Sequence, residues 1–432
     1  MQTKTLKFNK NNHELRAVSI LYGKEFLGYG IIPGEEAEVE VSKRKKGRRF
    51  VKPVQILSKS RYRIDPLEDH YLTCSPLQCI DYDYQIELKE NALNDLFSDL
   101  NIRVSQFYNA DEIFNYRNKL EFSFYGDESN RIHLAFHRRD TKFGKDILNS
   151  GCALGSDSMN KTGLKIVEVL NRYHIEARSL KTLTVRESKY NNKVITVLLI
   201  KDEDFIQKHS QDIDNLFNDL KNTSNGIVVG YSSPKSPASN IDNILFQSGD
   251  EYLEEKINDK TIRYRYDSFF QNNIPMFEKS LKEIIDSIDN SNRIVELYSG
   301  VGTIGLNLVN KAKEVIGVEV SESSVEYSKL NAESNNIENY TALKLESENI
   351  SPEVLNNSDV LVLDPPRSGL HPRVIEMILE KKPKRVIYLS CNPITQARDV
   401  KLLTGYKIDR LSGFDFYPNT PHMESLAILD LN

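Results

Sequence analysis

The alternation of apolar and polar positions divides the chain into three unlike stretches. Residues 15–58 alternate over short runs at 16–21, 37–41 and 50–57, broken by Gly28-Tyr29-Gly30 and Pro33-Gly34. Period-two alternation with glycine and proline punctuation predicts short strands, and strands this closely spaced predict a small β-barrel. Residues 85–100 switch to the helical period. Between 103 and 245, strand-like runs at 119–125, 133–137, 182–186 and 194–199 mix with helical ones at 164–173 and 213–220, which predicts an α+β unit. The polar stretch 231–243 reads as an exposed loop or hairpin turn. From about 246 the alternation of strand and helix becomes regular, as in an α/β doubly wound sheet. Three domains are expected: a barrel over 1–60, an α+β domain over 61–245 and an α/β domain over 246–432, with part of 85–118 free to pack on the last.

Composition adds limits. At 432 residues and 39% hydrophobic, the chain can bury several cores. No apolar run is long enough to span a bilayer and no signal-like start is present, so a soluble, cytoplasmic, monomeric protein away from membranes is expected. Four cysteines without a secretory framework fit a reducing compartment. The net charge of −5 hides a local asymmetry: between Val41 and Asp65 stand ten Lys or Arg against one acid, starting Lys43-Arg44-Lys45-Lys46-Gly47-Arg48-Arg49. An isolated run of this kind is usually a solvated face. Placed as a hairpin on a barrel rim, Lys45, Lys46, Arg48 and Arg49 would instead meet phosphates.

The third stretch carries the chemistry. Residues 293–298 read as a buried strand running into Ser299-Gly300-Val301-Gly302-Thr303-Ile304-Gly305 and a helix over 306–312. Glycines there let the backbone approach a ligand at the helix start. The following strand, 314–318, ends in Glu319, well placed to accept hydrogen bonds from two ribose hydroxyls. Asp364-Pro365-Pro366-Arg367 closes one apolar run, and Ser390-Cys391-Asn392-Pro393 closes another. Ligands of open α/β sheets bind beyond the carboxyl ends of the strands, so both loops should open into one crevice. Glu424 adds a second carboxylate. A thiol and a carboxylate beside a cofactor pocket point to covalent catalysis with proton abstraction. Alone, each piece is weak: dehydrogenases share the glycine pattern, and a lone Cys before Asn-Pro is more often structural.

Taken together, Ser268-Phe269-Phe270-Gln271-x-Asn273, residues 296–303, Asp364-Pro365-Pro366-Arg367-Ser368-Gly369, Ser390-Cys391-Asn392-Pro393 and Pro421-His422-Met423-Glu424 resemble the RNA uracil-C5 methyltransferase family, which makes 5-methyluridine. The amino-terminal stretch resembles a TRAM domain, an RNA-binding OB-like barrel, and residues 115–119 also fit. The resemblance implies a Rossmann-like class I methyltransferase domain using S-adenosyl-L-methionine. It assigns Gln271, Tyr298, Thr303, Glu319 and Asp364 to the cofactor, Cys391 as nucleophile and Glu424 as general base, with His422 as a candidate for orienting its loop. Glu296 stands where Asp is commoner. Many members also hold a 4Fe-4S cluster on Cys-x5-Cys-x2-Cys and a distant fourth cysteine. Here only Cys74, Cys79 and Cys152 remain once Cys391 is reserved, so buried, unligated cysteines are expected rather than a metal cluster; His70 is a conceivable further ligand.

The implied partner is RNA, and the TRAM-like stretch favours 23S ribosomal RNA over the T-loop of tRNA. Three rivals stay open to test. An exocyclic-amine methyltransferase needs no thiol, a cytosine-C5 enzyme places a Pro-Cys pair differently, and a non-catalytic RNA-binding or ribosome-assembly factor with a relict pocket would not need Cys391 and Glu424.

Overall fold

A computed structural model describes residues 3–45, 47–139, 141, 144–237 and 240–432. Three large sheets correspond to the three patterns. The first has six strands in the order Thr3–Lys7, Glu36–Lys45, Arg48–Ser58, Lys24–Gly28, Ala17–Leu21, Lys10–Asn11. They enclose a small core of Leu6, Phe8, Ala17, Phe26, Val39 and Val51. The basic run forms the turn between the two longest strands, where Lys45 pairs with Arg48 and Arg44 with Arg49. Lys46 lies outside the described residues.

The second sheet has seven strands and ends at Gly226–Tyr231 and Asn243–Gly249, which pair antiparallel across the polar stretch. The expected boundary at 246 therefore falls inside a strand. Residue 246 pairs with Val229 in that sheet, and regular strand–helix alternation begins only after the hairpin of Tyr252–Ile257 and Lys260–Arg265. Helices Asp157–Arg172 and Ile213–Lys221 turn Ile166, Leu170, Leu216 and Leu220 onto the sheet.

The third sheet has eight strands: Tyr340–Lys344, Ala312–Glu319, Ser291–Leu297, Val360–Leu363, Arg385–Ser390, Glu424–Leu431, Tyr406–Phe414 and Gln106–Tyr108. The first five are mutually parallel, and Glu424–Leu431 runs antiparallel to both its neighbours. Parallel strands are buried on both faces and so read as unbroken apolar runs. Val360, Leu361, Val362 and Leu363 are all buried, Val362 facing one core and Leu361 and Leu363 the other. Strand order reverses between Ser291–Leu297 and Val360–Leu363, the switch point at which such sheets open a ligand crevice.

Helix starts fit their sequences. The helix Ile274–Asp286 is capped by Asn273, whose side chain accepts from the amide of Met276, and carries a proline in its first turn. The helix read at 306–312 instead spans Thr303–Leu308, because Gly302 at φ 83° supplies the left-handed residue before it and Ala312 already starts the next strand. Among the described residues, no helix is long and apolar enough to cross a membrane.

Candidate active site

A cavity of about 910 Å³ lies at the carboxyl ends of the parallel strands. Pockets for drug-sized ligands run to roughly 300–1,000 Å³. Gln271, Tyr298, Glu319, Asp364, Cys391 and Glu424 all line it. Each side chain is delivered by a strand end or the loop after it, which is why residues so distant in sequence converge.

At one end are the groups read as cofactor contacts. Tyr298 follows Ser291–Leu297 directly and adopts φ 64°, a left-handed conformation costing roughly 1–2 kcal/mol for a residue with a Cβ. Such strain persists where the surroundings over-determine it. The turn continues through Gly300, whose amide donates to Glu319 Oε2 at 3.0 Å, while Ser321 donates to Oε1 at 2.8 Å. Glu319 is thus pinned at the tip of its strand with lone pairs left for hydroxyl donors. Thr303 is the first residue of its helix and lines a smaller adjoining cavity with Gln271, Tyr298 and Asp364. The Oγ of Ser268, on the cavity wall, has no hydrogen-bond partner among the described residues. Spare donors, a glycine turn and a strand-end acid together fit an adenosine-bearing ligand.

At the other end are Asp364, Cys391 and Glu424. Asp364 accepts from Gln271 Nε2 at 3.2 Å. Enclosure by protein pushes its carboxyl up to about 7, against the pull of that hydrogen bond. Burial likewise pushes the Cys391 thiol up to about 12, reinforced by the charges of Glu424 and Asp364. Glu424, at 4% exposed, is held well above the usual carboxylate range by burial and by Asp364, with the Tyr417 hydroxyl hydrogen-bonding it in the opposite sense. Three acids crowded together favour their protonated forms, so a bound cation would strengthen the site.

Two contributors, Arg117 and Arg367, were not assigned a role from sequence. Arg117 lines the same cavity; its buried Nε has no hydrogen-bond partner among the described residues, and its guanidinium lies 5.9 Å from the Tyr417 ring. Its position in Asn115-Tyr116-Arg117-Asn118-Lys119 was the available signal. Arg367 Nη2 lies 3.3 Å from His422 Nδ1. Arginine only donates, so that nitrogen is the acceptor, and burial with the nearby Arg367 charge pushes His422 down to about 3. His422 therefore positions Arg367 as a neutral imidazole. Of the residues read as RNA contacts, Arg48 and Arg49 lie on the barrel hairpin, with Arg48 paired to Glu25 at 3.2 Å and Arg49 5.4 Å over the Phe26 ring.

The cysteines do not fit a four-cysteine cluster. Cys79 is buried in the surroundings of Arg63 and Glu35, and Cys391 lines the cavity. That leaves Cys74 and Cys152, which lie beside each other near His70.

Comparison with known proteins agrees with this geometry. Residues 81–431 match the model of the tRNA (uracil-5-)-methyltransferase family. An uncharacterized RNA methyltransferase of Prochlorococcus marinus is 32% identical, covering 92% of this chain and 99% of that protein. One of Fusobacterium nucleatum is 31% identical, covering 96% and 95%. Among solved structures, the tRNA (uracil-54, C5)-methyltransferase of Pyrococcus abyssi, in complex with S-adenosyl-L-homocysteine, superposes with a TM-score of 0.76 at 25% identity, over 99% of this chain and 100% of that one. With family and cavity in agreement, the chain belongs to the tRNA (uracil-5-)-methyltransferase family and is an S-adenosylmethionine-dependent enzyme that methylates uracil C5 in RNA.

Proposed function

We propose that methyl transfer passes through a covalent adduct between Cys391 and C6 of a uracil flipped into the cavity. The observation that carries this is the meeting of Cys391, Glu424 and Asp364 in one pocket beside the glycine turn. Uracil C5 is a weak carbon nucleophile. Addition of the Cys391 thiolate to C6 breaks the C5–C6 double bond and moves its electrons toward C5 and the C4 oxygen as an enolate. S-Adenosylmethionine, when bound, supplies the methyl group to C5 and a positive charge to the site. Glu424 then takes the C5 proton, the C5–C6 double bond re-forms and the C6–S bond breaks, returning the thiolate. One difficult step becomes several easier ones.

The surroundings support these roles. Burial keeps the thiol protonated and inert while the site is empty, which suppresses side reactions. The positive charge of a bound cofactor favours the Cys391 thiolate and the Glu424 carboxylate, and both protons leave to solvent before addition. Arg117 and Arg367 are the cations lining the cavity, and Arg117 has an unused donor for enolate oxygen. Gln271 and Glu319 are the proposed cofactor contacts, with Tyr298, Thr303 and Asp364 completing that end.

The base must leave its stack to enter, at a cost on the order of a few kcal/mol, so an unpaired loop is the favoured substrate. Our reading of the target is ribosomal RNA, with the basic barrel hairpin as its grip. A second reading is tRNA, because the P. abyssi tRNA enzyme matches 99% of this chain, barrel included. Mapping 5-methyluridine in both RNAs from a deletion strain separates the two. For the mechanism, Cys391→Ala should abolish tritium release from 5-labelled uridine RNA while leaving cofactor binding within a few fold; near-wild-type release would remove the covalent step.

A further inference from the structure

Away from the cavity, Glu68, His70 and Cys74 bring one carboxylate oxygen, one ring nitrogen and one thiol within 4.8 Å of one another. His70 Nδ1 lies 3.2 Å from Cys74 Sγ, and Glu68 Oε2 lies 3.8 Å from the same sulfur. Cys152, from a loop far along the chain, lies beside Cys74 but outside that 4.8 Å cluster. The side chains of Glu68 and His70 are each only 12% exposed. Cys152 is 2% exposed.

We infer that Glu68, His70 and Cys74 hold a thiophilic divalent cation such as Zn²⁺, with the neighbouring Cys152 closing on it as the fourth ligand. Two thiols, an imidazole and a carboxylate make a mixed sulfur, nitrogen and oxygen donor set that suits tetrahedral zinc. Zinc bonds of about 2.0–2.3 Å at tetrahedral angles separate neighbouring donors by roughly 3.4–3.8 Å, and the two separations above straddle that range. The imidazole is oriented as a ligand. Its Nε2 lies 3.0 Å from the carbonyl of Gly151 and 3.3 Å from Glu68 Oε1, acceptors that can hold an N–H there and leave Nδ1, which faces Cys74, to a metal. A ligating histidine commonly anchors its other nitrogen in this way. Glu68 is held too, accepting from the amide of Ala153 at 2.6 Å and from Gln78 Nε2 at 3.3 Å. A carboxylate and thiols enclosed together gain from a bound divalent charge, and the only ion-pair partner of Glu68 among the described residues is His70.

The site would have structural consequences for catalysis. It joins the segment leading out of the barrel to the loop 151–155. That loop receives the amides of Asn115, on Ala153 O at 2.8 Å, and of Arg117, on Leu154 O at 2.9 Å. A metal here would therefore stiffen the backbone that presents Arg117 to the cavity. Gly151 permits the close approach: at φ 93°, an added Cβ would meet Asn160 Oδ1 at 2.1 Å.

Metal analysis of the purified full chain, followed by Co²⁺ titration of the metal-stripped protein, tests this. One zinc per chain and a cobalt–thiolate charge-transfer band are expected. The band should be lost in Cys74→Ser and in Cys152→Ser and kept in Cys79→Ser and Cys391→Ala. Should the variants misfold, the unsubstituted chain decides alone: absence of the band in it overturns the site. Persistence of the band in both Cys74→Ser and Cys152→Ser, or stoichiometric iron with sulfide, would overturn it as well.

Discussion

Lys89 Nζ lies 2.5 Å from Asp415 Oδ1, and both side chains are wholly shielded from solvent. The pair ties the helix Tyr82–Phe97 to the segment ahead of the last strand. Lys89 also donates to the carbonyl of Tyr417 at 3.2 Å, and the Tyr82 hydroxyl donates to Asp415 Oδ2 at 2.9 Å. Through Tyr417, whose hydroxyl faces Glu424, this network holds the acid end of the cavity from behind.

Burial pulls the Lys89 ammonium below its ordinary value while Asp415 restores its charge. Removing one partner strands a buried charge, so Lys89→Met should lower unfolding free energy by about 3–5 kcal/mol. Lys89→Met combined with Asp415→Leu should recover most of the loss, since a well-packed apolar pair can replace a buried ion pair. Denaturant unfolding of both variants decides it. A single variant within about 1 kcal/mol of the parent would reduce the pair to the level of a surface contact.

Glu424→Gln should trap the proposed covalent RNA adduct. Addition to C6 needs the Cys391 thiolate, whereas release needs the C5 proton removed. A denaturing gel should show a shifted, methylated protein–RNA band that decays slowly. Normal turnover by Glu424→Gln would send the search for the base elsewhere in the cavity.

Cofactor affinity should depend on pH through Asp364. Its carboxyl is pushed up to about 7 by enclosure against the pull of the Gln271 hydrogen bond, and its charge in turn favours the protonated forms of Glu296, Cys391 and Glu424. An unfolded aspartate titrates near about 3.9, so between the two values the folded chain holds a proton the unfolded chain has lost, and stability of the free protein falls as pH rises through that window. A cationic ligand beside Asp364 favours the carboxylate and expels the proton. Affinity for S-adenosylmethionine should therefore rise by up to about tenfold per pH unit toward 7 and level off above it. Titration calorimetry in buffers of differing ionisation enthalpy would count the proton. A flat profile, or one unchanged in Asp364→Asn, would place the charge elsewhere.

Legibility in the sequence followed the range of the interactions. Local period revealed the apolar strands of the third sheet, and the strand-end rule brought Asp364, Cys391 and Glu424 to one cavity because each closes or opens a strand. Gln106–Tyr108 was not legible as a strand of that sheet: three residues carry no period, and their partners, Ser412 to Phe414, lie some three hundred positions away. The same distance hid Lys89 and Asp415, since a lysine on a helix reads as solvated. Arg117 stood inside a motif, yet its role depends on the loop 151–155 that supports it. Glu68 belongs to no motif, and only its position beside His70 and Cys74 singles it out.

The hairpin cations differ in what they can offer RNA. The ion pair between Arg48 and Glu25 has both side chains about half exposed, so it is weak and readily exchanged for a phosphate. Arg49 lies over Phe26, which orders its stem while leaving the guanidinium charge. Replacing Lys45, Lys46, Arg48 and Arg49 by Ser should weaken RNA binding and flatten its salt dependence by up to ~3 in the slope of log affinity against log salt, at about 0.7 per single-strand phosphate contact. Cofactor affinity should stay put, because neither Arg48 nor Arg49 lines the large cavity. Glu25→Gln should act the opposite way, freeing Arg48 and tightening RNA binding slightly at low salt. Salt titrations of binding to an unpaired RNA loop measure both effects. An unchanged slope in the fourfold variant would leave the hairpin as solvated surface, and the grip on RNA would then have to come from cations nearer the cavity, with Arg117 and Arg367 the first to test.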